Sequence, residues 1–219
     1  MSGCSKLKSS LFERLLKVNA GSMMKESREA LKARILQGAI ALFMEKGIEK
    51  VTTRELTEHV GISRSHIYHY FRDWEMLCKE AMTLYLQQDR EDFAAGITGL
   101  TAEQRLTAFV AGYLPAAADA AWQLYSSLWQ LAIHDEEWAA IAQSMMEQWH
   151  RLLGSIIRQG IADQAFFSPA PERVTRLLSA MLNGYADQLI VSPNQEAHQA
   201  VMQDIEAFIT LALRTEPSR

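Results

Sequence analysis

Residues 52–71 read TTRELTEHVGISRSHIYHYF, two short helical patterns on either side of Val60-Gly61-Ile62. Thr52 followed three residues later by Glu55 is a capping-box signature. The threonine hydroxyl accepts from the backbone at the third helical position and the glutamate reaches back to the cap, so two otherwise unpaired amides are satisfied. Gly61 permits the positive φ of a tight turn, and Ser63 is placed to cap a second helix from Arg64 to Phe71. Leu56, Val60, Ile62, Ile67 and Phe71 give the pair one apolar face. Arg64, Ser65, His66, Tyr68 and His69 crowd hydrogen-bonding side chains onto the other.

Two short helices joined by a glycine-containing turn have the geometry of a helix-turn-helix, whose second helix enters a DNA major groove while the first crosses the backbone. The hydroxyls of Thr53, Ser63 and Tyr68 and the amides at both helix starts suit phosphate oxygens. Arg64, near the start of the second helix, is placed for bidentate contact with a guanine edge. Ser65, His66 and His69 suit bases and phosphates alike, and the sequence does not sort them. A helical hairpin with a merely polar surface gives the same pattern, so the hairpin alone leaves both readings open. His66 and His69 stand three apart, yet no cysteine or carboxylate shares their face, and no metal is expected.

Charge supports a polyanion at one end of the chain. The net charge of −4 conceals 13 lysines and arginines against 7 glutamates in residues 1–72, and 9 against 19 acids in residues 73–219. A basic piece on an acidic body points to a polyanion partner for that piece only.

The helical period continues outward. Leu31, Ile35, Ala39, Leu42 and Phe43 make one stripe from Ser27 to the stop at Gly47. Asp73 can cap a helix from Trp74 to about Phe93. Thr101 starts another that Pro115 limits, and further helices are expected over 119–134, 136–163, 172–191 and 196–214. No segment alternates as a strand, so the fold is predicted to be all-α. Residues 1–26 read as a mobile N-terminal extension, 27–80 as the helix-turn-helix DNA-binding domain, and 81–219 as a helical ligand-binding and dimerisation domain. No apolar run approaches bilayer length and the N-terminus has no apolar signal core, so a cytoplasmic protein without membrane contact is expected. Cys4 and Cys78 have no companions at metal-ligand spacing. His134, Asp135 and His150 fall in no nucleophile–base–orienter spacing, and neither an enzyme nor a cofactor is expected.

In the body, Trp122, Tyr125 and Trp129 share a helical face, and Phe109, Tyr113, Met145, Trp149 and Tyr185 could converge with them on a pocket. Such side chains suit an apolar or cationic small molecule, or they are plain core. Leu177, Leu178, Met181, Leu182, Tyr185 and Leu189 form one broad apolar stripe, beside which Ala180 and Gly184 admit a close neighbour. Val201, Met202, Ile205, Phe208, Ile209 and Ala212 form a second. Two such helices from each of two subunits could make a four-helix dimer interface, with some side chains shared with the subunit's own core.

The stretch LKARILQGAIALFMEKGIEKVTTRELTEHVGISRSHIYHYFRDWEMLCKEAM resembles the DNA-binding domain of TetR-family transcriptional regulators. Phe43 and Gly47, Thr52-Thr53, the Val60-Gly61-Ile62-Ser63 turn, Ile67-Tyr68-x-x-Phe71 and an acid before the next helix carry the resemblance. Trp74 departs from it, standing where members commonly have a phosphate-holding lysine, and so does His66, where a small hydroxyl residue is usual. SLWQLAIHDEEWAAIAQSMMEQWHRLLGSIIRQGIADQAF and RLLSAMLNGYADQLIV more weakly resemble BetI-like bodies of that family, through Trp129, Trp138, Gly160 and Asn183-Gly184. The resemblance implies a three-helix DNA-binding head before a helical ligand-binding and dimerisation body. It also implies a homodimeric repressor, released from a near-palindromic duplex operator by a small-molecule effector. An activator, a ligand-independent DNA-binding protein and a helical protein–protein interaction module are the alternatives.

Overall fold

The 27–47 stripe folds as α1 (Arg28–Lys46), started by Ser27, whose Oγ accepts from Ala30 N–H, and stopped at Gly47, with φ of 87°. A computed structural model describes residues 27–117 and 120–214, and every regular element among them is helical. Residues 1–26, with Cys4 and the expected extension, lie outside the described residues, as do 118–119 at the expected start of the 119–134 helix. A 3-10 turn (Ile48–Lys50) leads to α2 (Thr53–Val60), where both halves of the Thr52–Glu55 capping box are formed. Gly61 takes the left-handed conformation, φ 73° and ψ 39°, which costs a side-chain-bearing residue roughly 1–2 kcal/mol. Then come α3 (Arg64–Tyr70) and α4 (Trp74–Gly96), the latter started by Asp73, whose Oδ1 accepts from Met76 N–H at 2.8 Å. The remaining elements are α5 (Ala102–Tyr113, opened by a Thr101–Gln104 capping box), α6 (Ala120–Ala132), α7 (Glu136–Ala162), α8 (Pro171–Val191) and α9 (Gln195–Ile209).

Two details differ from the sequence expectation. Ser63 occupies the cap position of α3, but its hydroxyl makes no capping bond. It lies instead 2.7 Å from His66 Nδ1 and 2.8 Å from Ser65 Oγ; these local side-chain partners take the place of the backbone amides. The final helix does not run unbroken to Arg214. It ends at Ile209 and widens into a π turn over Thr210–Arg214, where the buried Leu213 has its carbonyl taken by Phe167 N–H at 2.7 Å.

Packing divides the described chain into two units, residues 27–93 with 123–143, and 94–117 and 120–122 with 144–214. In the first, Leu56, Ile67 and Phe71 have no exposed surface, and Ile35, Ala39, Ile40 and Phe43 of α1 are likewise buried. Each buried leucine, isoleucine or phenylalanine side chain contributes about 1.5–3 kcal/mol. α1 and α2 approach so closely that a Cβ on Gly38 would stand 2.6 Å from Val60 Cγ2. Arg34 Nη1 donates to the Val60 carbonyl at 2.6 Å, satisfying an acceptor at the end of α2, and Lys46 pairs with Glu55 at 3.1 Å. These contacts hold α2 on α1, while Arg28 and Lys32 of α1 stand over the Tyr70 and Phe71 rings at the end of α3, 5.8 and 5.3 Å from their centroids.

The second unit has its core in Leu106, Leu153, Ile157, Phe166, Leu178, Leu182, Ile205 and Leu213. Gly160 is required there, because the Phe166 ring lies where a Cβ would be. Thr175, a buried polar residue of this core, donates its hydroxyl to Pro171 O at 2.9 Å, which satisfies its own donor.

Candidate nucleic-acid interface

With Ile67 and Phe71 wholly buried, helical geometry turns the rest of α3 outward, and Ser63, Arg64, Ser65, His66, Tyr68 and His69 are all exposed. Thr53, at the first position of α2, is half-buried beside this face: its hydroxyl bonds to the Tyr68 phenol. The start of α2 and the outer face of α3 are therefore one surface. Arg64 and Thr53 both hold the Tyr68 phenol below its ordinary pKa, Arg64 contributing more, because hydrogen bonds to the oxygen favour the charged form.

Arg64 lies back along Tyr68, with its guanidinium 5.6 Å from the ring centroid and Nη2 3.4 Å from the hydroxyl. Swinging to a base edge gives up an exposed cation–π contact of about 0.5–1 kcal/mol. That is less than the roughly 1–3 kcal/mol of discrimination a bidentate guanine contact supplies. The Ser63 hydroxyl engages Nδ1 of His66, which leaves Nε2 as the ring nitrogen free of that contact. His69 is exposed but sets its ring edge-on to Tyr70, 5.3 Å between centroids, and Tyr70 in turn receives the Arg28 guanidinium at 5.8 Å. Arg28 escaped the sequence reading because it belongs to α1, 42 positions earlier.

The body residues divide between the two packing units. Tyr125 belongs to the first, where it is buried, donates to Asp89 Oδ2 at 2.7 Å and meets Tyr85 edge-on; half-buried Trp129 belongs to that unit too. In the second, Phe109 stacks on Tyr113, and Trp149 and Trp122 meet Tyr113 edge-on. Phe109, Tyr113 and Trp149 line a cavity of about 430 Å³. Tyr113 donates its hydroxyl to Asn183 Oδ1, and burial pushes its pKa up to about 12. Met145 is buried, and the cavity is lined by its neighbour Met146 instead. Tyr185 is not in the lining; its hydroxyl donates to Asp204. His150, Arg151, Arg176, Ser179 and Asn183 complete a polar wall that the sequence reading missed. The positions Arg176, Ser179, Ala180 and Asn183 do follow helical spacing along α8 and could have been found that way.

Of the residues expected at a dimer interface, Leu178, Leu182, Ile205 and Ile209 are at most 3 % exposed within the single chain and serve its own core. Met181 and Phe208 remain half-buried, and Leu177 is 45 % exposed. Among the described residues no helix is long and apolar enough to cross a membrane. Cys78 is buried and its thiol is pushed up to about 12 by desolvation, which keeps it protonated and inert.

The model of bacterial regulatory proteins of the tetR family matches residues 35–81, and that of the BetI-type transcriptional repressor C-terminal region matches residues 102–214. The chain belongs to the TetR family. Its TetR-type hairpin and its BetI-type body meet the two models in the order in which the fold builds them. Over 77 residues it is 42% identical to the HTH-type transcriptional repressor Rv1474c of Mycobacterium tuberculosis, covering 33% of this chain and 38% of that one. Over 99 residues it is 36% identical to the repressor AcnR of Corynebacterium glutamicum, covering 45% and 46%. The matched region thus spans less than half the length of these curated relatives. The fold is similar to a crystal structure of a Saccharomonospora viridis transcriptional regulator in complex with choline, at TM-score 0.73, 18% identity and coverage of 85% and 98%. It is also similar to a TetR transcription regulator of Haloarcula marismortui, at TM-score 0.74, 18% identity and coverage of 84% and 99%. The family is one of regulators, in keeping with a sequence that offers no catalytic constellation.

Proposed function

We propose that this TetR-family chain is a ligand-responsive transcriptional repressor that binds a near-palindromic duplex operator as a homodimer. The observation that carries the reading is the outer surface of the hairpin. Thr53, Ser63, Arg64, Ser65, His66 and Tyr68 are gathered on one face, while the opposite face is locked to α1 by side chains with no exposed area. A rigid rod with donors on its free side is what groove reading requires. Two such rods, one per subunit, would enter successive major grooves roughly 34–36 Å apart. His69, with its ring on Tyr70, serves at the margin of this surface. Repression is the activity that the names of both curated relatives state for those proteins.

The second subunit would dock on the faces of α8 and α9 that carry Leu177, Met181 and Phe208, the apolar side chains the core leaves partly uncovered. The effector would occupy the α5–α7–α8 cavity. Its rings supply apolar walls, while Arg151, Arg176 and His150 supply donors. Glu147 also lines it and pairs with Arg151 at 3.6 Å, so the lining suits an effector with an apolar or aromatic body that carries polar groups. Effector and DNA would oppose each other through a coupling of typically about 1–3 kcal/mol.

The test is Arg64→Ala in the full chain, with affinity measured by fluorescence anisotropy on a duplex selected from random sequences and on an unselected duplex. Affinity for the selected duplex should fall about 10–100-fold, with a much smaller loss on the unselected one. Equal losses would mean that Arg64 touches only phosphates and that α3 does not read sequence through it.

A further inference from the structure

Apart from the DNA-facing surface and the α5–α7–α8 cavity, the first packing unit holds a recess of about 640 Å³. Its walls are the 3-10 turn after α1, the first turns of α4, the end of α6 with the turn that follows, and the first turn of α7. The size suits a small organic molecule. Three features define which kind.

The first is apolar surface: the indoles of Trp74 and Trp138 face the recess together with Leu131 and Ile133, and Ile133 is 76 % exposed. The second is charge. Glu49, Glu75 and Asp135 are in the lining, which includes no lysine or arginine. The third is that this corner already receives an ammonium from its own chain. In an adjoining recess, Lys79 Nζ stands 5.7 Å from the Trp138 ring centroid. It lies 2.7 Å from Glu137, 3.2 Å from Asp135 and 2.5 Å from Glu75. Arg72, which also lines the adjoining recess, is paired with Asp73 at 2.7 Å, so one ammonium among three carboxylates leaves negative charge in excess, and Glu49 adds to it.

A cation over an indole face is attracted by the ring quadrupole, more strongly as water is excluded. An anion would be repelled by the same carboxylates. A neutral hydrocarbon would gain the indoles without the charge, and a bare metal ion would gain the charge and leave the apolar walls wet. We propose that this recess is a binding site for a lipophilic organic cation, an aryl-substituted ammonium of small-molecule size. The site is separate from the effector cavity and does not rest on the DNA-binding reading. Its walls flank the hairpin in sequence: Ile48 and Glu49 precede α2, and Trp74 follows the end of α3 by four residues. Should DNA bind this unit, occupancy and DNA affinity would change each other by one common factor.

The experiment is calorimetric titration of the full chain with benzyltrimethylammonium, alongside neutral 2-phenylethanol and anionic phenylacetate. The cation should saturate at one per chain and bind about tenfold more tightly than either control. Glu49→Lys, at an exposed position that leaves the fold alone, should weaken it about tenfold, and Trp74→Ala should act in the same direction. Trp149→Ala, in the other cavity, should leave it unchanged. Equal binding of the neutral compound, no saturable binding of the cation, or indifference to Glu49→Lys would overturn the proposal. So would loss of binding in Trp149→Ala alone, which would put the cation in the effector cavity. If Trp74→Ala fails to fold, Glu49→Lys decides the matter by itself. No arm of the experiment contains DNA, so its failure leaves the operator reading intact.

Discussion

Gly38→Ala sets two effects of similar size against each other. Alanine in place of glycine inside a helix is worth about 1 kcal/mol of propensity, so α1 in isolation would gain. In the folded chain the new methyl stands 2.6 Å from Val60 Cγ2, 3.3 Å from His59 Cδ2 and 3.5 Å from Leu56 Cδ1. Carbon atoms at rest lie about 3.5–4.0 Å apart, so Val60 must retreat by roughly 1 Å. It does not yield easily: a β-branched side chain in a helix has one preferred rotamer, and the Val60 carbonyl is tied to Arg34. Overpacking of this kind costs about 1–3 kcal/mol. The clash therefore wins by about 1 kcal/mol, a fall in Tm of about 2–4 °C for a chain of this size, read by circular dichroism. The retreat also carries Gly61 and the start of α3 with it. Base-edge hydrogen bonds of roughly 2.7–3.2 Å do not survive a 1 Å displacement, so affinity for a selected duplex should fall beyond what the stability change explains. A Tm raised by the propensity gain, with affinity unchanged, would refute the claim that α1 and α2 are in contact at this point.

Two further outcomes follow from particular side chains. The Thr52 N–H, then Lys46 and the Thr52 hydroxyl, hold the Glu55 carboxyl at about 2, below its ordinary 4.5. A depressed carboxyl stabilises fully above its unfolded pKa and loses that contribution as pH falls through the folded one. The urea midpoint of Glu55→Gln should thus lie below that of the parent at pH 7, with the gap narrowing as pH drops from about 4.5 toward 2; a gap independent of pH would mean that the charge of Glu55 gains nothing from Thr52 and Lys46. Tyr113→Phe removes the donor to Asn183 in a part-buried setting and should lower stability by about 1 kcal/mol, while an unchanged Tm would mean that water replaces that partner.

Much of this was legible in local chemistry. Thr52 with Glu55, Thr101 with Gln104 and Asp73 before Trp74 each announce a helix start because a side chain must satisfy an amide within three residues, and all three do so. Gly61 announces the turn because few other residues adopt its φ. Ser63 misled for the same local reason: two competing partners, Ser65 and His66, stand within three residues of it, and the sequence does not rank them against the backbone. The candidate sites were less legible because they depend on which helices meet. Met145 and Met146 are equivalent in composition, and only the rotation of α7 decides that Met146 faces the cavity. Tyr125 shares a helical face with Trp122, yet the division of packing falls between them and its hydroxyl goes to Asp89. Lys79, an unremarkable i,i+4 partner of Glu75 in sequence, gathers two more carboxylates from the α6–α7 turn and the start of α7, 56 and 58 positions away.

The central claim is that α3 is a groove-reading rod presented twice by a self-associating chain. Sedimentation velocity on the purified protein, alone and with a duplex selected from random sequences at moderate salt, tests it most directly. The account predicts a dimer that binds the selected duplex at two chains per site, across two half-sites one helical turn apart or a whole multiple of it. A lone subunit that binds selected and random duplexes equally would contradict it.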